Sequence, residues 1–156
     1  MPNPFFAKAA RYCASRERCR TEVLKKLRDW GDPHPHNTLS QLQNDDYQNE
    51  QRFASAFVHD KFYLESWGPH KIKAALHNKQ VDSSLIAAAL QRIRPQDHDQ
   101  CLKRLSQKKF LTLKTEQQKD PLPYLARFLQ QRGFETGLLF QYWNDWRNEL
   151  SDEENQ

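Results

Sequence analysis

The chain has 156 residues, of which 37% are hydrophobic, and its 24 Lys and Arg against 20 Asp and Glu give a net charge of +4. This length suits one ordinary domain or a few smaller packed units, and the low apolar content favours several small cores. No run approaches 18 apolar residues and no apolar N-terminal segment indicates a signal peptide, so we expect a cytoplasmic chain without a membrane span. Cys13, Cys19 and Cys101 lack the even count of a disulfide framework, in agreement with a reducing compartment.

The first third of the chain shows helical periodicity. Pro4 predicts the start of a first helix, whose apolar side chains recur at three- and four-residue spacing. A second helix ends at Gly31, the residue type that most often follows a helix. The segment Asp32–His36 contains two prolines and predicts a loop. A short third helix is then expected around Leu39 and Leu42.

Helices also account for the middle of the chain. Phe53–Phe62 predicts a strongly amphipathic fourth helix that ends at Trp67–Gly68. Pro69 opens a fifth helix at the position where proline is best tolerated. Asp82 is a suitable cap for a sixth helix. We therefore expect three successive helices here, separated by short turns.

The last third continues this pattern. Pro95 begins a seventh helix, and Thr112–Asp120 predicts a polar connection. The next helix follows two prolines and ends at Gly133, and a last helix carries the apolar residues of Leu138–Trp146. Because no segment alternates with a period of two, no sheet is expected and the fold class is all-α.

An apolar pair at i, i+4 spacing occurs three times, with offsets of 49 and 53 residues, and each pair is followed four residues later by a helix break. Although any helical protein shows approximate repeats, the shared break position and the matched Gly31 and Gly133 favour genuine repetition. The pattern predicts three tandem three-helix repeats in an elongated array, at 1–44, 45–94 and 95–150, with a polar tail at 151–156. The pairs are Val23/Leu27, Ile72/Leu76 and Leu125/Leu129.

The sequence offers no motif for catalysis, a cofactor or a metal. No Gly-rich phosphate-binding loop is present. His34 and His36, in a loop, and His70 and His77, on one helix, have no Cys or carboxylate at metal-ligand spacing. The cysteines are interpreted as structural thiols. We therefore expect a protein that is not an enzyme and holds neither cofactor nor metal.

Charge is unevenly distributed: residues 1–31 carry a net +5, residues 32–66 a net −4 and residues 67–119 a net +7. Basic clusters can contact phosphates or an acidic protein surface, although solubility alone is an equally good explanation. Arg11, Lys26, Arg28 and Lys109 belong to these clusters. The candidate partner-binding residues are Arg16, Arg18, Arg20, Lys25, Lys71, Lys73, Lys103, Arg104 and Lys108.

A motif spans the centre of the chain. It comprises Arg52–Ala54, then Gly68–Pro69, and then Ile72, Leu76 and Lys79–Val81. This order resembles the central motif of the RecX family, which reads approximately R-F-A followed by G-P-x-x-I-x-x-x-L-x-x-K-G-V.

The resemblance extends over nearly the whole chain. Arg11–Trp30 is similar to the family's opening helix pair, and Ala126–Phe134 to its last repeat. Three features depart from the family: Gln80 replaces glycine, Cys19 replaces a small hydroxyl cap, and the proline-rich loop at 32–38 is longer. These departures affect the local geometry of the chain more than its resemblance to the family.

The resemblance implies a modulator of the RecA recombinase. Similar proteins bind the RecA–DNA filament along its groove, limit its growth and lower its ATP hydrolysis and strand exchange. The implied partner is therefore the RecA filament, with single- or double-stranded DNA as a further one, and the chain is expected to be a monomer. The alternative is a helical module that binds DNA directly.

Overall fold

The computed structural model describes residues 2–154, and within them all regular secondary structure is helical. The predicted all-α fold class is confirmed. Apart from the short α8, the helices follow one another in three groups of three, as the sequence repeat predicts. The α-helices are α1 (Phe6–Ser15), α2 (Arg20–Asp29), α3 (Pro35–Asn44), α4 (Glu50–His59), α5 (Pro69–Asn78), α6 (Ser83–Leu90), α7 (Pro95–Thr112), α8 (Thr115–Gln118), α9 (Leu122–Gln131) and α10 (Gly137–Glu154), and Asp60–Leu64 is a π-helical segment.

Contacts group the chain into two compact units. Unit 1 comprises the chain up to Asp60 together with Lys73–Arg92, and unit 2 comprises Lys61–Ile72 with the chain from Ile93 onwards. The repeat boundaries drawn from the sequence concern chain order, and they stay a prediction.

In unit 1, α1, α2 and α3 pack on one another and α4 packs on α6. The three-helix contact is lined by small and aliphatic side chains, because each helix is amphipathic with a narrow apolar face. Phe5, Phe6, Tyr12 and Trp30 cover the edge of this core. The buried members are Ala9, Ala10, Cys13, Val23, Leu24, Leu27, Leu39 and Leu42.

The start of α2 is stabilised by a residue from α4. Cys19 stands at the cap position without a side-chain cap hydrogen bond, and the backbone N–H of Arg20 donates to Glu50 Oε1 at 2.8 Å instead. Gln48 donates to the same carboxylate at 3.1 Å. Burial raises the pKa of Glu50 despite these hydrogen bonds. A carboxylate 30 residues away therefore accepts one of the N–H groups left free at this helix start.

In unit 2, α7 packs on both α9 and α10. Phe110 and Trp143 meet with their ring centroids 5.1 Å apart. Aromatic pairs of this kind bury a large apolar area between few residues, so a small unit can form a core. The buried side chains of these helices are Cys101, Leu102, Leu105, Ser106, Phe110, Leu125, Leu129, Leu139, Trp143 and Trp146.

The middle helix of each group, α2, α5 or α9, ends in the same left-handed turn. The residue four positions after the second member of the apolar pair has a positive φ: +86° at Gly31, +61° at Gln80 and +92° at Gly133. The next residue's N–H then donates to the carbonyl of that pair member, which is the Schellman arrangement. These bonds are Asp32 to Leu27 at 2.9 Å, Val81 to Leu76 at 3.1 Å and Phe134 to Leu129 at 2.9 Å.

The apolar pairs that identify the repeat are the most deeply buried side chains of these helices. All six residues have no exposed surface: Val23, Leu27, Ile72, Leu76, Leu125 and Leu129. Side chains four residues apart share one helix face. Each pair therefore fixes the buried face, and the turn that follows fixes where the helix stops.

Two local predictions are wrong. The predicted loop Asp32–His36 ends earlier, because α3 already begins at Pro35. The buried Asp32 accepts hydrogen bonds from the N–H of His34 and the hydroxyl of Thr38, which holds this helix start. The polar connection Thr112–Asp120 contains the one-turn helix α8.

Part of the predicted polar tail is helical. Residues 151–154 continue α10 beyond its apolar residues. The last two residues of that predicted tail, 155 and 156, lie outside the described residues.

Gly133→Ala and Gly31→Ala separate backbone strain from close packing. Both replace a glycine of positive φ, but a Cβ at residue 133 would lie 2.4 Å from the backbone nitrogen of Lys71, whereas a Cβ at residue 31 meets nothing within 4 Å. We expect Gly31→Ala to lower the free energy of unfolding by about 1 kcal/mol and Gly133→Ala by about 3 kcal/mol. Urea denaturation followed by circular dichroism measures both, and equal losses would contradict the packing argument.

Gln80→Gly should stabilise the protein. Gln80 holds a positive φ of 61°, which costs a residue with a Cβ more than it costs glycine. After allowing for the extra freedom of glycine in the unfolded chain, we expect a gain of about 1 kcal/mol. The matched control is Gln80→Ala, which keeps a Cβ at this position and should give no gain. Urea denaturation decides, and an unchanged or lower stability of Gln80→Gly counts against this account.

Candidate partner-binding surface

Unit 1 carries three basic side chains over two aromatic rings. Tyr12 and Trp30 meet edge to face, with ring centroids 6.1 Å apart. Lys8 Nζ lies 4.3 Å from the Trp30 ring, while Arg18 and Lys26 lie 3.9 Å and 5.7 Å from the Tyr12 ring. We call these five residues the Tyr12 cluster.

Helical spacing builds the Tyr12 cluster. Lys8 and Tyr12 are four residues apart on α1, and Lys26 and Trp30 are four residues apart at the end of α2, so each pair shares a face. Both rings pack by one side on the apolar core of unit 1. Arg18 is held further by donating from Nε to the carbonyl of Tyr12 at 3.2 Å.

Unit 2 carries a second group built in the same way. Lys61 and Lys71 lie 4.6 Å and 4.2 Å from the Trp67 ring. Lys109 and Arg132 lie 5.2 Å and 5.1 Å from the Phe128 ring. We call these residues, with Arg104, the Trp67 cluster: Lys61, Trp67, Lys71, Arg104, Lys109, Phe128 and Arg132.

Neutral oxygen atoms tie the Trp67 cluster together. Arg132 donates from Nη1 to the carbonyl of Glu65 at 3.4 Å, and Arg104 donates from Nη2 to the Ser66 hydroxyl at 2.9 Å. Both acceptors lie in the segment just before Trp67. The guanidinium groups are therefore positioned by uncharged partners.

A ring attracts a cation without cancelling its charge. Within residues 2–153, Lys71, Arg104, Lys109 and Arg132 have no carboxylate within ion-pair distance. The field of the Trp67 cluster therefore remains strongly positive, although Glu65 lies 2.7 Å from Lys61. Such a surface attracts acidic or phosphate-bearing partners.

Other basic residues are neutralised. Lys103 pairs with Glu149 at 2.6 Å, and this hydrogen bond lowers the pKa of Glu149. Lys79 pairs with Glu22 at 3.1 Å. Arg52, in the central motif, pairs with Glu17. These cations have structural partners and contribute little net field.

The structure brings together only some of the predicted partner-binding residues. Arg18 belongs to the Tyr12 cluster, and Lys71 and Arg104 belong to the Trp67 cluster. Lys103 is ion-paired, and Arg20 is the partly buried first residue of α2. The remaining four, which are exposed, lie outside both clusters: Arg16, Lys25, Lys73 and Lys108.

Sequence reasoning missed Lys8, Lys61 and Arg132. For Arg132 a signal existed, because Phe128 precedes it by four residues on α9, as Trp67 precedes Lys71. Lys8 and Lys61 reach rings that lie far from them in sequence or at non-helical spacing, so only the folded chain shows those contacts.

Reactive and metal-binding groups are sparse in the described part of the chain. No group of three or more His, Cys, Asp or Glu side chains lies close enough there to hold a metal ion. All three cysteines are free and buried, and burial raises the pKa of the Cys13 thiol to about 11. Among residues 2–154 no helix has both the length and the apolar character needed to cross a membrane.

The centre of the chain matches a model of the RecX family. A family model described as the second three-helix domain of RecX matches residues 49–90, which run from the N-cap of α4 to the last residue of α6. Regulatory protein RecX of Acinetobacter baylyi is 29% identical over 135 residues, covering 81% of this chain and 77% of that protein. These matches support the RecX family for this chain.

A second RecX protein, longer than this chain, is also similar to it in sequence. Regulatory protein RecX of Oceanobacillus iheyensis is 25% identical over 130 residues, which cover 82% of this chain. The aligned part is 48% of that relative, so the chain matches about half of its length.

Solved RecX structures share the fold. The crystal structure of RecX from Lactobacillus salivarius superposes with a TM-score of 0.77 at 19% identity, covering 91% of this chain and 94% of that one. A second crystal structure, of a regulatory protein RecX, gives a TM-score of 0.70 at 20% identity, with coverages of 83% and 67%. The helical architecture is therefore that of RecX proteins.

Cys13 should resist alkylation in the folded protein. Because its pKa is raised to about 11, the reactive thiolate is scarce at pH 8, on the order of one part in a thousand. We expect N-ethylmaleimide to leave Cys13 unlabelled at pH 8 and to label it in denaturant, as read by peptide mass spectrometry. Ala14→Cys, at the exposed neighbouring position, is the matched control and should react quickly. Rapid labelling of Cys13 in the folded chain would be inconsistent with its burial.

Proposed function

We propose that this chain is a non-catalytic regulator that binds the RecA–DNA filament and lowers its extension, ATP hydrolysis and strand exchange. The match of α4–α6 to the second three-helix domain of RecX carries this proposal, and both curated relatives are regulatory proteins. The protein acts in the cytoplasm, where the filament forms, and binds it as a monomer.

The Tyr12 and Trp67 clusters supply the contact surfaces. Each presents several cations that stand on rings and so keep their charge. A single exposed charge contact contributes little, roughly 0–1 kcal/mol. Two clusters in one chain bind a repeating partner together, which raises the overall affinity beyond that of either contact.

Removing ring-held cations should weaken inhibition of RecA. In a titration of RecA ATP hydrolysis on single-stranded DNA, we expect the wild-type chain to inhibit at amounts well below one per RecA subunit. The variant Lys71→Ala/Arg132→Ala should require about tenfold more protein, because two charges without a carboxylate partner are lost. Lys103→Ala is the matched control, since Glu149 already neutralises Lys103 at 2.6 Å, and it should inhibit like the wild type.

Two outcomes would count against the proposal. If the wild-type chain does not inhibit ATP hydrolysis at one chain per RecA subunit, RecA is not its partner. If the double variant and Lys103→Ala lose inhibition to the same extent, the Trp67 cluster is not the contact surface, although the chain still regulates RecA.

Direct DNA binding is the second candidate function, and the same clusters favour it. Ring-held Lys and Arg can contact phosphates, and affinity for DNA then falls steeply with salt because counterions are released. Tight, salt-dependent binding of single-stranded DNA in the absence of RecA would support this alternative. Weak DNA binding combined with strong inhibition of RecA would favour the protein partner.

A further inference from the structure

In unit 2, the first turn of one middle helix contacts the left-handed turn after another. The N–H of Gly68, just before α5, donates to the carbonyl of Arg132 at 2.6 Å, and the N–H of His70 donates to the carbonyl of Gly133 at 3.0 Å. A Cβ on Gly68 would lie 2.3 Å from the Gly133 carbonyl. We call the first turn of a middle helix its start and the left-handed turn after it its stop, and we call this arrangement a start–stop contact.

Unit 1 contains the same contact in a looser form. At the start of α2, the Thr21 hydroxyl donates to the carbonyl of Lys79 at 3.0 Å, and Glu22 pairs with the Lys79 ammonium at 3.1 Å. Counted from the buried pairs, Thr21 corresponds to His70 and Lys79 to Arg132. The start of a middle helix therefore meets the stop of another in both units.

One stop in the described chain has no such partner. Trp30 and Gly31, after α2, occupy the positions of Arg132 and Gly133. Within residues 2–154 their carbonyls accept no hydrogen bond, and a Cβ on Gly31 would meet nothing within 4 Å. The acceptor half of a start–stop contact is thus present and open.

The first turn of α9 is the third start of a middle helix, and in a second copy of this chain it cannot dock on the open Trp30–Gly31 turn. Pro121 and Pro123 occupy the positions of Gly68 and His70, the two residues whose N–H groups donate in unit 2. Proline has no N–H, and its ring occupies the space that Gly68 leaves empty. Pro121 and Pro123 therefore prevent the α9 start of a second copy from making this contact.

We propose that the Trp30–Gly31 stop docks the first turn of a helix in a protein partner. That turn offers unblocked N–H groups to the two carbonyls and carries an acidic side chain. The acidic residue is inferred from charge: Lys26 and Arg28 lie in the last turn of α2, and Lys8 stands over Trp30. The Glu22–Lys79 pair shows the same complementarity inside the chain. This docking site goes beyond the proposed function, since it does not depend on which protein supplies the helix.

The test gives the chain a helix start that fits its own open stop. Pro121→Gly/Pro123→His places glycine and histidine before and in the first turn of α9, at the positions of Gly68 and His70, and restores both N–H groups. Head-to-tail association should follow, because the open stop and the new start lie on one chain. At about 1 mM chain, we expect sedimentation equilibrium to give a weight-average mass approaching twice the monomer or more, with the wild type monomeric.

A control variant locates the contact. Gly31→Asn, added to the same chain, places a side chain in the space next to residue 31 that the docking helix would occupy. Asparagine is chosen because it tolerates a positive φ. It should return the mass to that of the monomer. Association that survives Gly31→Asn, or a wild type that associates by itself, would overturn the proposal.

A milder variant protects the test against misfolding, since Pro121 is buried. Pro123→Thr changes only an exposed residue and supplies both an N–H and the hydroxyl that Thr21 uses. Circular dichroism establishes that each variant is folded. If the folded variants, or Pro123→Thr alone when the double variant unfolds, stay monomeric at this concentration, the open stop does not dock helix starts.

Discussion

The structure depends on the left-handed turn that ends each middle helix. In α2, α5 and α9, a fully buried i, i+4 pair is followed by one residue of positive φ. The turn satisfies carbonyls at the helix end and returns the chain towards its next helix. Without it the next helix would start in another direction, and the narrow apolar faces could not meet. Small helices with little apolar surface need such a constraint, because burial alone gives them limited stability.

The same turns provide contact surfaces between helices. In unit 2 the two glycines allow backbone to meet backbone, and the hydrogen bonds are made by the main chain. In unit 1, where Cys19 and Gln80 stand at the positions of Gly68 and Gly133, a hydroxyl and an ion pair make the contact. One geometry is thus achieved with two kinds of chemistry, which explains how the sequence departs from the family motif without losing the arrangement.

Charge has two separate roles in this chain. Carboxylates neutralise Arg52, Lys79 and Lys103, and these pairs join helices. Most cations of the Tyr12 and Trp67 clusters stand on rings and keep their field, whereas Arg104 is held by a hydroxyl and Lys61 is ion-paired. The second group can attract an acidic or phosphate-bearing partner, and the first supports the surfaces on which that group is displayed. Net charge alone does not distinguish the two, because both contain the same residue types.

The sequence by itself determined the helical class, the order of the helices and the three buried pairs, because these follow from local periodicity and from Gly and Pro positions. It also placed the helix stop at Gln80, where the family has glycine. Only the tertiary structure decided which cations are neutralised: Lys103 meets Glu149, 46 positions away along the chain, while Lys8 meets Trp30. Contacts of this kind depend on how helices pack, and no spacing rule along the chain encodes them.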